Sequence, residues 1–280
     1  MRADTRRERD VERMRYVLVT GACGGMGLAT VRLLLSRGYG VFALDRAETV
    51  GRGELPAGAI PVTADITDEQ SLLAAARQVR EVTPQLFAVV HFAGMYALHS
   101  FIEMDTQTLQ RVFAVDLFGA MTVNKVFLPL LTAGSRIVLT TSELAVLHPL
   151  PFTGIYAVAK AALDDYAFSL AMEVQLLGIR VSVLRAGAVR TAMLPASTAA
   201  LDRFCSDTQL YRCNAARFKR IVDRVEARRV PPERVAEKML LILQKRRPGF
   251  AYRINRNPLL LLLNVLPPRL QLWIIRQVLR

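Results

Sequence analysis

The sequence predicts an α/β fold, a doubly wound parallel sheet. Three observations carry this: apolar, β-branched runs alternating with helical segments, a glycine-rich turn joining the first run to the first helix, and an acid closing the second run. Strands are expected over 16–19, 41–44, 60–63, 86–92, 136–140 and 180–185, and helices over 28–37, 69–82, 106–130, 156–177 and 232–244. Strands with no polar face belong in a sheet covered by helices on both sides, with ligands at the strands' carboxyl ends. No internal repeat or low-complexity linker breaks the series. One domain is therefore expected over 16–250, after a polar extension (1–15) and before a basic, apolar tail (251–280).

The first strand, Tyr16-Val17-Leu18-Val19-Thr20, runs into Gly21-Ala22-Cys23-Gly24-Gly25-Met26-Gly27. The helix that follows stops at Gly38. Strand, glycine turn and helix in that order make a dinucleotide site, because glycines let the backbone approach a pyrophosphate that the helix N-terminus attracts. The second strand ends at Asp45, about 20 residues further on, where a carboxylate can accept hydrogen bonds from the adenosine ribose hydroxyls. At close range Asp45 repels a 2′-phosphate, which favours NAD. Arg46 follows directly and is the residue that would accept NADP instead.

Further along, Tyr156 and Lys160 are spaced Y-A-V-A-K. Four residues is about one helical turn, so phenol and ammonium share a helix face. The nearby ammonium is expected to lower the phenol pKa and create a proton donor and acceptor usable near neutral pH.

The turn reads T-G-x-x-x-G-x-G through Thr20, Gly21, Gly25 and Gly27. With Ser142, Tyr156 and Lys160, it makes residues 16–193 resemble the short-chain dehydrogenase/reductase family, a Rossmann fold. The resemblance implies that Ser142 holds the substrate oxygen, Tyr156 exchanges its proton, and Lys160 tunes Tyr156 and binds the nicotinamide ribose. It places Asp65 and Ile66 beside the adenine, with Met26 in the glycine turn. His91-Phe92-Ala93-Gly94 stands where the family usually has N-N-A-G. Arg185-Ala186-Gly187, with Val189 and Thr191, resembles the P-G-x-x-x-T segment around the nicotinamide. Asp116 stands where the family carries Asn, the fourth member of its proton relay; it lacks the amide donor and is expected to be retained in that role. Phe92 and Ala186 replace an amide and a proline, and Glu143 directly follows the serine in a loop one residue longer than is common.

The three cysteines and three histidines are too scattered for a disulfide framework, and no metal site is expected. The polar N-terminus has no apolar core of the secretory kind, and no run of about 20 apolar residues spans a membrane, so a cytoplasmic protein is expected. Charge is uneven. Residues 1–202 carry 19 basic and 19 acidic residues, whereas 203–280 carry 18 and 5, the whole net excess of +13. In the tail, proline-broken apolar segments around Trp273 are flanked by Arg253, Arg256, Arg269, Arg276 and Arg280. Two readings stand together: peripheral contact with an anionic membrane, or packing over the substrate pocket or a subunit interface. Nucleic acid is disfavoured, since no recognition module is present.

The expected function is NAD(P)-dependent interconversion of an alcohol and a ketone or aldehyde. The substrate expected is lipophilic and bulky, such as a steroid, retinoid or fatty derivative. Pocket walls are expected from 95–98 and 145–155, and a mobile lid from 192–229. The resemblance further implies a homo-oligomer, dimer or tetramer, paired through the helices at 106–130 and 156–177. The alternative is a nucleotide-binding, membrane-associated scaffold with little or no catalysis.

Overall fold

The computed structural model describes residues 14–52, 54–190, 193–226 and 229–280, with backbone alone at 193–198 and 223–226. In chain order the main elements are β1 (Tyr16–Thr20), α1 (Gly25–Ser36), β2 (Gly40–Asp45), α2 (Ala47–Val50), β3 (Ala59–Thr63), α3 (Glu69–Val82) and β4 (Leu86–His91). Then come α4 (Thr106–Phe113), α5 (Ala120–Phe127), β5 (Leu131–Ser142), α6 (Gly154–Val174) and β6 (Arg180–Ala186). The chain closes with α7 (Met193–Asp207), α8 (Arg212–Glu226), α9 (Pro232–Gln244), β7 (Ala251–Ile254), α10 (Pro258–Val265) and α11 (Pro268–Leu279).

The strands form one seven-stranded sheet in the order β3-β2-β1-β4-β5-β6-β7, every neighbouring pair parallel. The order reverses direction between β1 and β4, and this switch point opens a crevice at the strands' carboxyl ends. Two apolar layers flank the sheet. One packs Leu18, Phe42, Leu139 and Ile137 against α3, α5 and α6; the other packs Val19, Val41, Val90 and Val138 against α1 and α9. Alternate residues of each strand thus go to opposite layers, which is why the strands read as continuous apolar runs.

The six expected strands are present, displaced by a residue or so at most ends; β5 begins five residues earlier than expected, at Leu131. The edge strand β7 was not anticipated. It lies in residues assigned to the tail, so the sheet takes in the tail's first residues and the boundary falls after Ile254. Its sequence, Ala-Tyr-Arg-Ile, is half-exposed and carries no long apolar run. The helix expected over 106–130 is interrupted by a π-helical segment, Ala114–Gly119, with Asp116 at its centre. By length and composition, Thr106–Leu130 is apolar enough to cross a membrane, contrary to the expectation that no stretch qualifies. Val112, Val123, Val126 and Phe127 of this stretch are buried in the domain's own apolar clusters, which makes it a core helix.

The expected lid contains α7 and α8. Leu201, Phe204, Ala215 and Phe218 from this pair pack with Leu98, Phe152 and Leu279 into a separate small cluster. The proline-broken tail forms two short helices, each with proline at its first position, where a missing N–H costs nothing.

Candidate active site

Two cavities meet at the switch point. The first, about 420 Å³, is lined by the glycine turn, Asp45, Arg46, Asp65, Ile66 and Ala93. The second, about 280 Å³, contains Ser142, Tyr156 and Lys160. Phe92, Gly94 and Met95, just past β4, border both. The pair has the extent of an elongated ligand lying across the carboxyl ends of β1, β4 and β5.

The glycine turn is built for close approach. Gly21 has φ of +65°, and a Cβ there would lie 2.5 Å from the Ala93 nitrogen. A Cβ on Gly27 would meet the Gly21 carbonyl at 2.1 Å. Any side chain at either position would push the turn off β4 and close the cradle. Asp45 is held by two backbone donors: the Cys23 N–H reaches Oδ2 and the Arg46 N–H reaches Oδ1, each at 2.9 Å. Burial, with Asp45 and Glu54 nearby, pushes the Cys23 thiol up to about 11, so this cysteine is neutral and unreactive. The Thr67 hydroxyl and N–H both donate to Asp65 and hold its carboxyl below the usual range.

Thr20 departs from its expected place. It is fully buried beneath the turn, where its hydroxyl accepts the Ala93 N–H at 3.4 Å and its carbonyl accepts that of Phe92. It braces β1 against β4 and borders neither cavity. Gly25 and Gly27 also lie outside the cavity walls and shape the start of α1, while Met26 reaches the second cavity. Gly187 and Val189 line that cavity too. Thr191 lies outside the described residues.

Ser142 ends β5, and Tyr156 and Lys160 project from the first turns of α6. The Ser142 side chain faces Tyr156 across the same cavity, and its hydroxyl accepts the Leu144 N–H at 3.2 Å. The Lys160 ammonium lies 5.6 Å from the centre of the Tyr156 ring, and the Tyr96 ring packs on it at 5.0 Å. Lys160 also approaches Asp116 Oδ1 at 3.5 Å, with both residues buried. That same oxygen accepts the Met95 N–H at 2.8 Å, and the other carboxylate oxygen is buried without a partner among the described residues. Gly94 makes room for the pair, since a Cβ there would lie 2.8 Å from Asp116 and 3.1 Å from Lys160.

This arrangement reverses one expectation. Tyr156 was expected to have a lowered pKa; burial and the Asp116 carboxylate raise it, and the neighbouring Ser142 hydroxyl opposes them. The main physical reason is burial of the phenol, and the departure at position 116 adds to it. A carboxylate beside Lys160 offsets the positive charge that an amide would leave acting on the phenol. Asp116 is itself raised, because burial outweighs the Lys160 ammonium and the Met95 N–H.

Two contributors went unrecognised in the sequence. Asp164, one turn beyond Lys160, accepts both Arg185 Nε (3.0 Å) and Nη2 (2.6 Å) and the Thr141 hydroxyl (2.9 Å). This bidentate pair ties α6 to β5 and β6 directly beneath the Ser-Tyr-Lys group. An acid on the buried face of an otherwise apolar helix is the signal that marks it. Glu143, noted only as the residue after the serine, lines the second cavity and accepts the Asn257 N–H at 2.7 Å. It thereby fastens the start of α10 to the site, and burial raises its pKa.

The remaining wall is mainly apolar, with Leu144, Leu150, Phe218, Ile221, Val222 and Leu260 beside Thr140, Thr141 and Thr153. From 95–98 only Met95 and Tyr96 reach the cavity, while Leu98 joins the lid cluster. Phe152 does likewise, with φ of 65°, its ring against Phe204, Tyr211 and Phe218. These contacts offset a backbone strain of order 1–3 kcal/mol.

A glycine-cradled dinucleotide crevice beside a Ser-Tyr-Lys group defines a class of nucleotide-dependent oxidoreductase folds. The family described as short chain dehydrogenase matches residues 15–202, and the chain belongs to it. Short-chain dehydrogenase srdE of Neurospora crassa is 31% identical over 186 residues, covering 64% of this chain and 63% of that protein. An NADPH-dependent 1-acyldihydroxyacetone phosphate reductase of Schizosaccharomyces pombe is 28% identical over 183 residues, 65% of this chain and 62% of that protein. The matched region thus spans somewhat less than two thirds of either relative. A 3-ketodihydrosphingosine reductase of Bacteroides thetaiotaomicron is 22% identical over 243 residues, 85% of this chain and 87% of that protein. The fold agrees with a short chain dehydrogenase family protein from Francisella tularensis at a TM-score of 0.70, with 20% identity over 86% of this chain and 97% of that one.

Proposed function

We propose that this chain is an NAD(P)-dependent oxidoreductase that interconverts an alcohol and a carbonyl on a bulky lipophilic substrate. The carrying observation is the convergence of Ser142, Tyr156 and Lys160 on one cavity, with Lys160 over the Tyr156 ring and the other walls mainly apolar. Asp45, Asp65, Ile66 and the glycine turn would hold the adenosine end of the dinucleotide, and Lys160, Gly187 and Val189 its nicotinamide end. When bound, the dinucleotide supplies the hydride acceptor or donor.

Ser142 holds the substrate oxygen and fixes the reacting carbon. Tyr156 gives that oxygen its proton in reduction and takes it back in oxidation. A phenol held protonated enters as the donor, which suits reduction of a carbonyl. Lys160 stabilises the phenolate left behind, and Asp116 positions Lys160. Apolar walls at Leu150, Phe218, Ile221 and Leu260 support a lipophilic substrate. So do the names of two relatives, a 1-acyldihydroxyacetone phosphate reductase and a 3-ketodihydrosphingosine reductase. Asp45 supports NAD over NADP; Arg46, at the cavity wall and 3.9 Å from Glu48, is the residue a 2′-phosphate would recruit.

Reduced-nicotinamide absorbance with a panel of steroid, retinoid and fatty ketones is the test. Tyr156→Phe should lower kcat by a factor on the order of 10²–10⁴ and leave dinucleotide affinity nearly unchanged. Wild-type turnover in that variant would remove Tyr156 from the chemistry. The competing reading, a nucleotide-binding scaffold, draws on the upward push that Asp116 exerts on Tyr156. Tight dinucleotide binding with no turnover on any panel member would favour it.

A further inference from the structure

We propose that the outer face of α10 and α11 is a docking surface for an anionic phospholipid bilayer. Each helix has one side committed to the protein. In α11, Gln271 and Leu279 are buried and Ile275 packs into the lid cluster. The Asn214 amide donates to the Leu279 carbonyl at 2.6 Å. Gln271 accepts from His148 at 2.9 Å and donates to the Leu266 carbonyl at 2.7 Å. In α10, Leu260 lines the catalytic cavity, and Asn264 accepts the His148 N–H at 2.6 Å. These contacts hold both helices firmly, so what they turn outward is a fixed surface.

What they turn outward is apolar. Leu259, Leu262 and Val265 of α10 are 68%, 64% and 82% exposed, and Leu272 and Trp273 of α11 are 72% and 57% exposed. Helices that served only to cover the pocket would put polar side chains there. Basic residues flank these positions in the chain, and Arg253, Arg256, Arg269, Arg276 and Arg280 are all exposed. From Lys238 to Arg280 the chain contains no Asp or Glu at all, against nine Lys and Arg.

Apolar residues and a tryptophan flanked along the chain by arginines, in a segment with no acid of its own, match the boundary of an anionic bilayer, where Trp and Leu enter the interface and Arg meets headgroup phosphate. A second copy of this chain would bring the same unbalanced positive charge to the contact, which the charge pattern disfavours. Because Leu260 lines the catalytic cavity from the same helix that exposes Leu259, docking sets one wall of that cavity beside the lipid surface.

Trp273 is the sole tryptophan of the chain, so its fluorescence reports on this face directly. The experiment mixes the full-length protein with phosphatidylcholine vesicles, or with vesicles containing phosphatidylserine, at two salt concentrations. Emission and co-sedimentation are both recorded. No turnover enters, so the result stands or falls apart from the proposed activity. Anionic vesicles should shift the emission to the blue and sediment the protein; neutral vesicles should do so weakly, and added salt should release most of it.

Leu262→Asp, outside the cavity, should abolish the shift, with unchanged far-ultraviolet circular dichroism showing that the fold survives. Arg269→Gln with Arg276→Gln should weaken partition by roughly 30-fold, at about 1 kcal/mol for each basic residue near the surface. Emission that is the same with and without anionic vesicles overturns the proposal. So does a blue shift that needs no vesicles, grows with protein concentration and accompanies a doubled mass, since the face is then a contact between copies.

Discussion

At the scale of single residues, position 116 decides more than its size implies. An aspartate there neutralises Lys160 and helps keep the Tyr156 phenol protonated. Asp116→Asn preserves the acceptor for the Met95 N–H but removes the charge, so the phenol pKa should fall. The pH profile of kcat for alcohol oxidation, which needs the phenolate, should then rise at lower pH than in the wild type. An unmoved profile would show that Asp116 does not set the charge at Tyr156. Asp45 is the second such residue. Asp45→Ala should weaken NAD binding and improve the relative use of NADP, because the repelling carboxylate is gone. Fluorescence titration with both dinucleotides measures it, and a wild-type preference for NADP would assign control to Arg46.

At the scale of elements, buried polar links hold the site's strands and helices in register. His91, at the end of β4, donates from Nε2 to Asn124 of α5 at 2.9 Å, and the Asn124 amide donates to the Tyr166 hydroxyl of α6 at 3.1 Å. Burial lowers the His91 pKa to about 4, with the Asn124 bond opposing and Lys160 reinforcing. A histidine whose folded pKa lies below its unfolded value of 6.5 contributes stability that is present above pH 6.5 and lost as pH falls toward 4. Between pH 7 and pH 5 the loss should be about 2 kcal/mol. In His91→Gln, which keeps a donor and does not titrate, that part of the loss should vanish. Urea midpoints of the two proteins at both pH values are the measurement, and parallel curves would rule His91 out. The π-helical segment belongs to the same scale. It carries Asp116 inward to Lys160 while leaving Phe118 outside, a placement that a regular helical period does not reveal.

Across the whole molecule, the surface has a second apolar face, remote in sequence from the tail. Phe118 and Met121, with Phe168 and Met172 of α6, are 56%, 37%, 54% and 50% exposed, and the π-segment contacts α6. Large side chains on two neighbouring helices are what a helix-paired subunit contact requires. Size-exclusion chromatography with light scattering should give a dimer or tetramer. Phe118→Asp with Phe168→Asp should reduce it to the monomer. A wild-type monomer would leave that face without its expected partner.

The sequence by itself determined the sheet's inner strands, the glycine turn and the Ser142, Tyr156 and Lys160 group. Each depends on local rules: strand runs buried on both faces, a turn only glycine can make, and one helical turn between phenol and ammonium. Tertiary structure alone decided the rest. β7 is a short edge strand with no apolar run, placed only by its pairing with β6. Thr20 has a binding residue's position in the motif but is turned beneath the turn by packing against β4. Asp164 and Arg185 are 21 residues apart, and their pairing is invisible until α6 lies on β6. The sign of the Tyr156 shift follows from three groups on three different elements and from how deeply they are buried together, since desolvation is a property of the packed surroundings and not of any one residue.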